Sequence, residues 1–163
     1  MYETINKFNM NFPALDFFVD LNLPKSIPAI IKGNKVRVNQ TVPIRKLKTV
    51  LTEEVMHWQY TVGDITDLNK LENIKQEKFA RRKTHEYLIP VEDFVTCHDL
   101  GLKTYYEVAE QLDIGEEFLH EAIEEYRDKY GLMYNTGKYI INFGSTIEVF
   151  REDKNFYPFD YGC

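Results

Sequence analysis

The feature that most constrains this chain is a carboxylate inside an apolar helical stripe. Thr41 is placed to cap a helix, and Pro43 suits its first turn. Beyond them Leu47, Val50, Leu51, Val55 and Trp58 recur at helical spacing, which predicts a helix over about 43–60. At about 100° per residue, Leu47, Leu51 and Trp58 share one arc, with Val50 beside them. Glu54 falls near the middle of that arc. Glu53 and His57, four residues apart, share a face at its edge. An acid in an apolar arc is costly unless it is paired, protonated or bound to a metal.

The string Glu53-Glu54-Val55-Met56-His57 has the spacing of a metal site. Two ligands at i and i+4 face one ion, and a base stands one residue after the first ligand. In the HExxH arrangement that base is the glutamate, which activates water. The same string also suits a helix with two exposed acids and a boundary histidine, because EExxH occurs by chance in many helices. A site with three protein ligands needs one more from a neighbouring element. Glu77 lies on the next predicted helix and aligns with Ala80, Thr84 and Leu88, whose small members let that helix approach closely. The alternative for Glu77 is an i,i+4 ion pair with Arg81, worth about 0.3–0.5 kcal/mol at a surface.

The other histidines offer less. His120 and Glu124 are also four apart, but they stand in a helix that carries Glu116, Glu117, Glu125 and Asp128, the pattern of a solvated acidic face. His85 lies in a basic helix and His98 follows Cys97; neither has a partner at ligand spacing.

The remaining pattern predicts an α+β chain. Residues 12–22 (Phe12, Leu15, Phe17, Phe18, Val19, Leu21) suit a short helix. Ala29-Ile30-Ile31, Gly33-Asn34 and Val36-Arg37-Val38 read as strand, tight turn and strand. A basic helix over about 71–88 stops at Pro90. Helices follow near 91–98, 104–112 and 116–130, with Asp113-Ile114-Gly115 as a turn and Gly131 past the last helix. Residues 139–143 and 147–150, split by Gly144-Ser145, read as a hairpin. An aromatic tail that packs back ends the chain. The expected architecture is a small antiparallel sheet against a mainly helical body. It forms a single domain over residues 1–163, with a site core at about 27–90, a helical extension at about 91–131 and a hairpin and tail at about 132–163.

Charge and cysteine content narrow the function. A net charge of −6 disfavours a general nucleic-acid binder. Residues 104–130 imitate a helix-turn-helix, but a recognition helix starting Glu116-Glu117 and continuing Glu121, Glu124, Glu125 would repel phosphates. The expectation is no direct nucleic-acid contact. Basic stretches at Lys32–Lys48 and Lys75–Lys83 are solvated surface or a docking face for an acidic partner. The two cysteines, Cys97 and Cys163, fit a reducing compartment. No apolar run approaches the roughly 18–20 residues that span a membrane, and the opening residues do not resemble a signal peptide. A cytoplasmic protein with no membrane contact is expected.

Read together, these blocks resemble the ImmA/IrrE metallopeptidases. The resemblance rests on the EExxH helix, on Glu77-Lys78-Phe79-Ala80 and on Glu86-Tyr87-Leu88-Ile89-Pro90. It also rests on the strand–turn–strand at 30–38, on Leu51-Thr52-Glu53-Glu54 with Thr61-Val62-Gly63-Asp64-Ile65, and on Tyr106-Glu107-Val108-Ala109-Glu110-Gln111-Leu112. It covers about residues 27–150 and is similar to phage-encoded members with an EExxH variant. It implies a zincin-like metal helix followed by a ligand helix, with Glu54 as general base and Glu53, His57 and Glu77 as metal ligands. Glu53 stands where the family has its first histidine, and Met56-His57-Trp58 replaces Gly-His-His. One nitrogen and two carboxylates make a harder site than two histidines and one glutamate, so Mn²⁺ or another divalent cation competes with Zn²⁺. The implied activity is a metal-dependent endopeptidase that cleaves a helix-turn-helix repressor of a phage or mobile element in a bacterial host. The alternative is a peptidase fold that binds such a repressor without cutting it.

Overall fold

A computed structural model describes residues 1–63, 69–102, 104–144 and 147–151. Asp64, Ile65, Ser145, the aromatic tail and Cys163, all named above, lie outside the described residues. The chain is α+β and divides into two compact units, Met1–Leu88 and Ile89–Cys163. Among the described residues no helix is long and apolar enough to cross a membrane.

The first unit runs α1 (Tyr2–Asn11), β1 (Asp16–Asp20), β2 (Ala29–Lys32), β3 (Lys35–Asn39), α2 (Ile44–Tyr60) and α3 (Leu71–Leu88). Its sheet has the order β1-β3-β2. Strand β2 is antiparallel to β3, while β1 is parallel to it, with Phe17 opposite Val36 and Val19 opposite Val38. The sheet is therefore mixed, not antiparallel throughout. Phe17, Val36, Val38, Leu47, Leu51 and Val55 are buried in one core with Ile5, Phe8 and Ala80.

Residues 12–22 correct the expectation of a helix. The helix precedes them, and residues 16–20 are strand β1. Two causes are visible, one local and one not. The run Phe17-Phe18-Val19 favours extended backbone, with Phe17 buried and Phe18 outward. Asn9 on α1 then grips that strand: its Oδ1 accepts the Phe17 N–H at 2.8 Å, and its Nδ2 donates to the Phe17 carbonyl at 3.0 Å.

Helix α2 forms as its spacing predicts, but it starts at Ile44 with Pro43 at the N-cap and no side-chain cap, because the Thr41 hydroxyl donates to Asn39 instead; its buried face is also shifted. Leu47, Leu51, Thr52, Val55 and Met56 are buried, whereas Trp58 is 43% exposed in the last turns. The apolar arc is thus centred toward Val55, and Glu54 lies at its edge instead of its middle.

The tight turn is also as expected. Gly33 takes φ +65° between Lys32 and Lys35, a left-handed conformation that favours glycine at the first centre of a two-residue hairpin turn. Pairs alternate along an antiparallel ladder. With Lys32 and Lys35 closing the turn as a hydrogen-bonded pair, the Ile31 N–H points away from β3, toward the outer edge of the sheet.

The second unit runs α4 (Val91–Asp99), α5 (Tyr105–Leu112), α6 (Glu116–Tyr130), β4 (Met133–Asn135), β5 (Tyr139–Phe143) and β6 (Ile147–Arg151). Its sheet is antiparallel in the order β4-β5-β6. The β5–β6 hairpin matches expectation and β4 adds a strand to it. Thr104 and Glu107 form a reciprocal cap on α5, and Asp113 ends it in the left-handed region. Arg127 on α6 donates to the carbonyls of Phe143 at 2.6 Å and Gly144 at 2.8 Å, which holds the end of β5 on the helix.

Asn39, at the end of β3, organises the approach to β2. Buried at 2% exposure, it donates to the carbonyls of Leu23, Pro24 and Ile27 and accepts from the Thr41 N–H and hydroxyl. Asn39→Ala removes the side-chain donor of the Leu23 and Ile27 carbonyls and leaves Pro24 only its bond from the Ile27 N–H, so a loss of about 2–3 kcal/mol is expected in urea unfolding. A loss under about 0.5 kcal/mol would show that water replaces these bonds.

Candidate active site

Helices α2 and α3 pack against each other and bring together residues that lie about twenty to thirty positions apart in the chain. Each helix carries two charged or titratable groups at i,i+4, so each pair shares a face. On α2 these are Glu53 and His57; on α3 they are Glu77 and Arg81. The helices meet in antiparallel register. Glu53 forms a salt bridge with Arg81, and His57 Nε2 lies 3.7 Å from Glu77 Oε2. Two rungs result, one cationic at α3 and one anionic.

Glu54 stands beside these rungs but faces the sheet. Its carboxylate accepts the outward N–H of Ile31 on β2. Burial is the main influence on it and disfavours the ionised form. The Ile31 bond acts the other way, and the nearby Glu77 carboxylate again opposes ionisation. The net effect pushes its carboxyl from the ordinary 4.5 up to about 7. A carboxyl poised near neutrality is suited to receive and return a proton.

The four residues singled out from sequence therefore lie near one another, with different partners. His57 and Glu77 converge. Glu54 is a half-buried acid on the sheet side. Glu53 is paired by charge with Arg81, its buried Oε1 having no hydrogen bond of regular geometry among the described residues. Tetrahedral donors at about 2.0–2.2 Å from one ion lie about 3.3–3.5 Å apart, so the His57–Glu77 spacing fits a shared cation to within a few tenths of an ångström. His57 Nδ1 is buried and has no hydrogen-bond partner among the described residues. A partner on that nitrogen would orient the ring. Among the described residues no group of three His, Cys, Asp or Glu side chains is placed to hold a metal ion. His57 and Glu77 therefore stand as a pair of donors, and Glu53 does not complete a trio.

Two participants were not singled out from sequence. From sequence Arg81 stands only as an i,i+4 partner for Glu77 and as part of the basic stretch Lys75–Lys83. Its spacing on α3 mirrors that of Glu53 and His57 on α2, a signal visible once the two helices are set antiparallel. The Ile31 N–H carries no side-chain signal at all.

Elsewhere His120 Nε2 lies 3.8 Å from Glu116, both half exposed, and its ring packs 4.2 Å from that of Tyr105. Within the second unit a cavity of about 310 Å³ is lined by Phe94, Cys97, Tyr105 and Val149 among others. Burial, with a smaller effect of Asp93, raises the Cys97 thiol above its ordinary value, so it is not an activated nucleophile.

No family model, curated protein or solved structure matches the chain.

Glu54 gives the fold a pH dependence. The native carboxyl keeps its proton up to about pH 7, the unfolded one only to its ordinary 4.5. Between those values the native state binds more protons, so stability falls as pH rises through the window and levels off above it. The full difference amounts to at most ~3 kcal/mol, reduced by partial exposure. Glu54→Gln should match wild type near pH 5 and exceed it at pH 8 in urea unfolding. A gap that does not change with pH would refute the burial of Glu54.

Proposed function

We propose that the chain is a metal-dependent endopeptidase of the ImmA/IrrE type, acting on a helix-turn-helix repressor of a phage or mobile element. The observation that supports this reading most is Glu54, a half-buried carboxyl raised to about 7 beside the converging pair His57 and Glu77. His57 and Glu77 would hold the ion, Zn²⁺ or Mn²⁺. When bound, such an ion supplies Lewis acidity toward water and the substrate carbonyl. Glu54 takes the proton of the attacking water and returns it to the leaving amine. Its bond to Ile31 fixes the carboxylate during both transfers, and its burial keeps the base basic enough to be useful.

The Glu53–Arg81 salt bridge supports a second reading. With one ligand position neutralised, the same face could bind a repressor without hydrolysing it. Metal content separates the two. Retained stoichiometric metal, or a melting temperature raised by Zn²⁺ or Mn²⁺, fits the peptidase; neither effect leaves the binding module.

The decisive experiment is co-expression with a helix-turn-helix repressor from the same genome, followed by intact and fragment masses. Cleavage is expected with wild type and should fall by about 10²–10⁴-fold with Glu54→Gln, the range for loss of a general base. Activity should also rise with pH through about 7 as Glu54 loses its proton. Undiminished cleavage by Glu54→Gln would remove Glu54 from the chemistry.

A further inference from the structure

The two antiparallel rungs carry an asymmetry that bears on how the site takes metal. On α2, Glu53 and His57 share a face at i,i+4, so both can address one ion. On α3, the residues opposite them differ in sign. Glu77 faces His57 at 3.7 Å and adds a donor, whereas Arg81 engages Glu53 and adds a cation. A guanidinium on a carboxylate competes with a metal for the same oxygens. Both members of the pair are largely sheltered, Glu53 at 25% and Arg81 at 33% side-chain exposure, so the pair is screened less than a surface one.

We infer that Arg81 is a positioning residue that withholds Glu53 from the metal, so that the site works as a His57–Glu77 donor pair and binds cations weakly by design of its α3 helix. The proposal rests on the metal reading above. It assigns Glu53 a role as a masked ligand, released only when Arg81 is displaced. Removing the guanidinium exposes an anionic donor one helical turn from His57. The site then gains a third protein ligand and a net negative charge, both of which favour a hard divalent ion.

The test uses the full chain, Zn²⁺, Mn²⁺ and Co²⁺ alone as probes, and binding measured by calorimetry with the Co²⁺ absorption spectrum as a second readout. Arg81→Gln is expected to tighten metal binding by about tenfold or more, the scale on which supporting residues tune metal sites, and to change the Co²⁺ spectrum. Glu53→Gln in the wild-type background should leave affinity within about twofold, because Glu53 is not a ligand there. Glu53→Gln combined with Arg81→Gln should lose the gain. Arg81→Lys, which keeps the charge, should stay near wild type, and Arg81→Met, which removes the charge but keeps the apolar stem, should tighten binding like Arg81→Gln and serves if that variant does not fold.

An unchanged or weaker affinity in Arg81→Gln, with wild type binding metal, overturns the proposal and leaves the peptidase reading standing. So does a large loss in Glu53→Gln alone, which would make Glu53 a ligand already. Binding by Arg81→Gln when wild type binds none supports the proposal. If neither wild type nor Arg81→Gln binds any of the three ions, the metal reading and this inference fall together.

Discussion

The Glu54 carboxylate sits where the apolar face of α2 meets the outer edge of β2, and much of the first unit depends on that placement. Leu47, Leu51 and Val55 must be buried together with Val36 and Val38 of β3. Once they are, the edge of that face lies against β2, an edge strand whose outward Ile31 N–H needs a partner. Glu54 supplies it through Ile31. The carboxylate satisfies a sheet edge, and the sheet in turn shelters the carboxylate and makes it hard to ionise. The same contact serves the fold and tunes an acid.

Two neighbouring acids consequently have opposite fates. Glu53 and Glu54 differ by about 100° around α2. That rotation sends Glu54 to the sheet and Glu53 to α3, where Arg81 meets it. Close approach of α3 depends on small buried residues, Ala80 at 1% exposure and Thr84 at 0%. Bulk at either position would separate the rungs. The site is therefore a product of helix packing: its charges are arranged by the same spacing that lets the helices meet.

Much of the fold was legible because its signals are local. The bounds of α3 and α6, the Gly33-Asn34 turn and the hairpin at 139–151 follow from periodicity, glycine and proline. The errors have physical causes. Residues 12–22 carry aromatics that suit either a helix or a strand, and their assignment depends on Asn9 hydrogen bonds to Phe17 and on pairing with β3, neither of which is local. Trp58 matches the wheel but stands in the last turns of α2 and remains exposed. The parallel pairing of β1 with β3 could not be read from either strand alone. At the site, the location around residues 53–57 and 77 was legible from spacing, while the partner of Glu53 was not.

By itself the sequence determined which residues can share a face. Helical periodicity joins Glu53 to His57 and Glu77 to Arg81, because residues four apart on a helix are neighbours whatever surrounds them. Only the tertiary structure decided which face meets which. The antiparallel approach of α2 and α3 assigned Glu77 to His57 and Arg81 to Glu53, and the sheet edge took Glu54. Those choices depend on how the apolar surfaces of three elements are buried at once, a property of the packed chain and not of any segment in it.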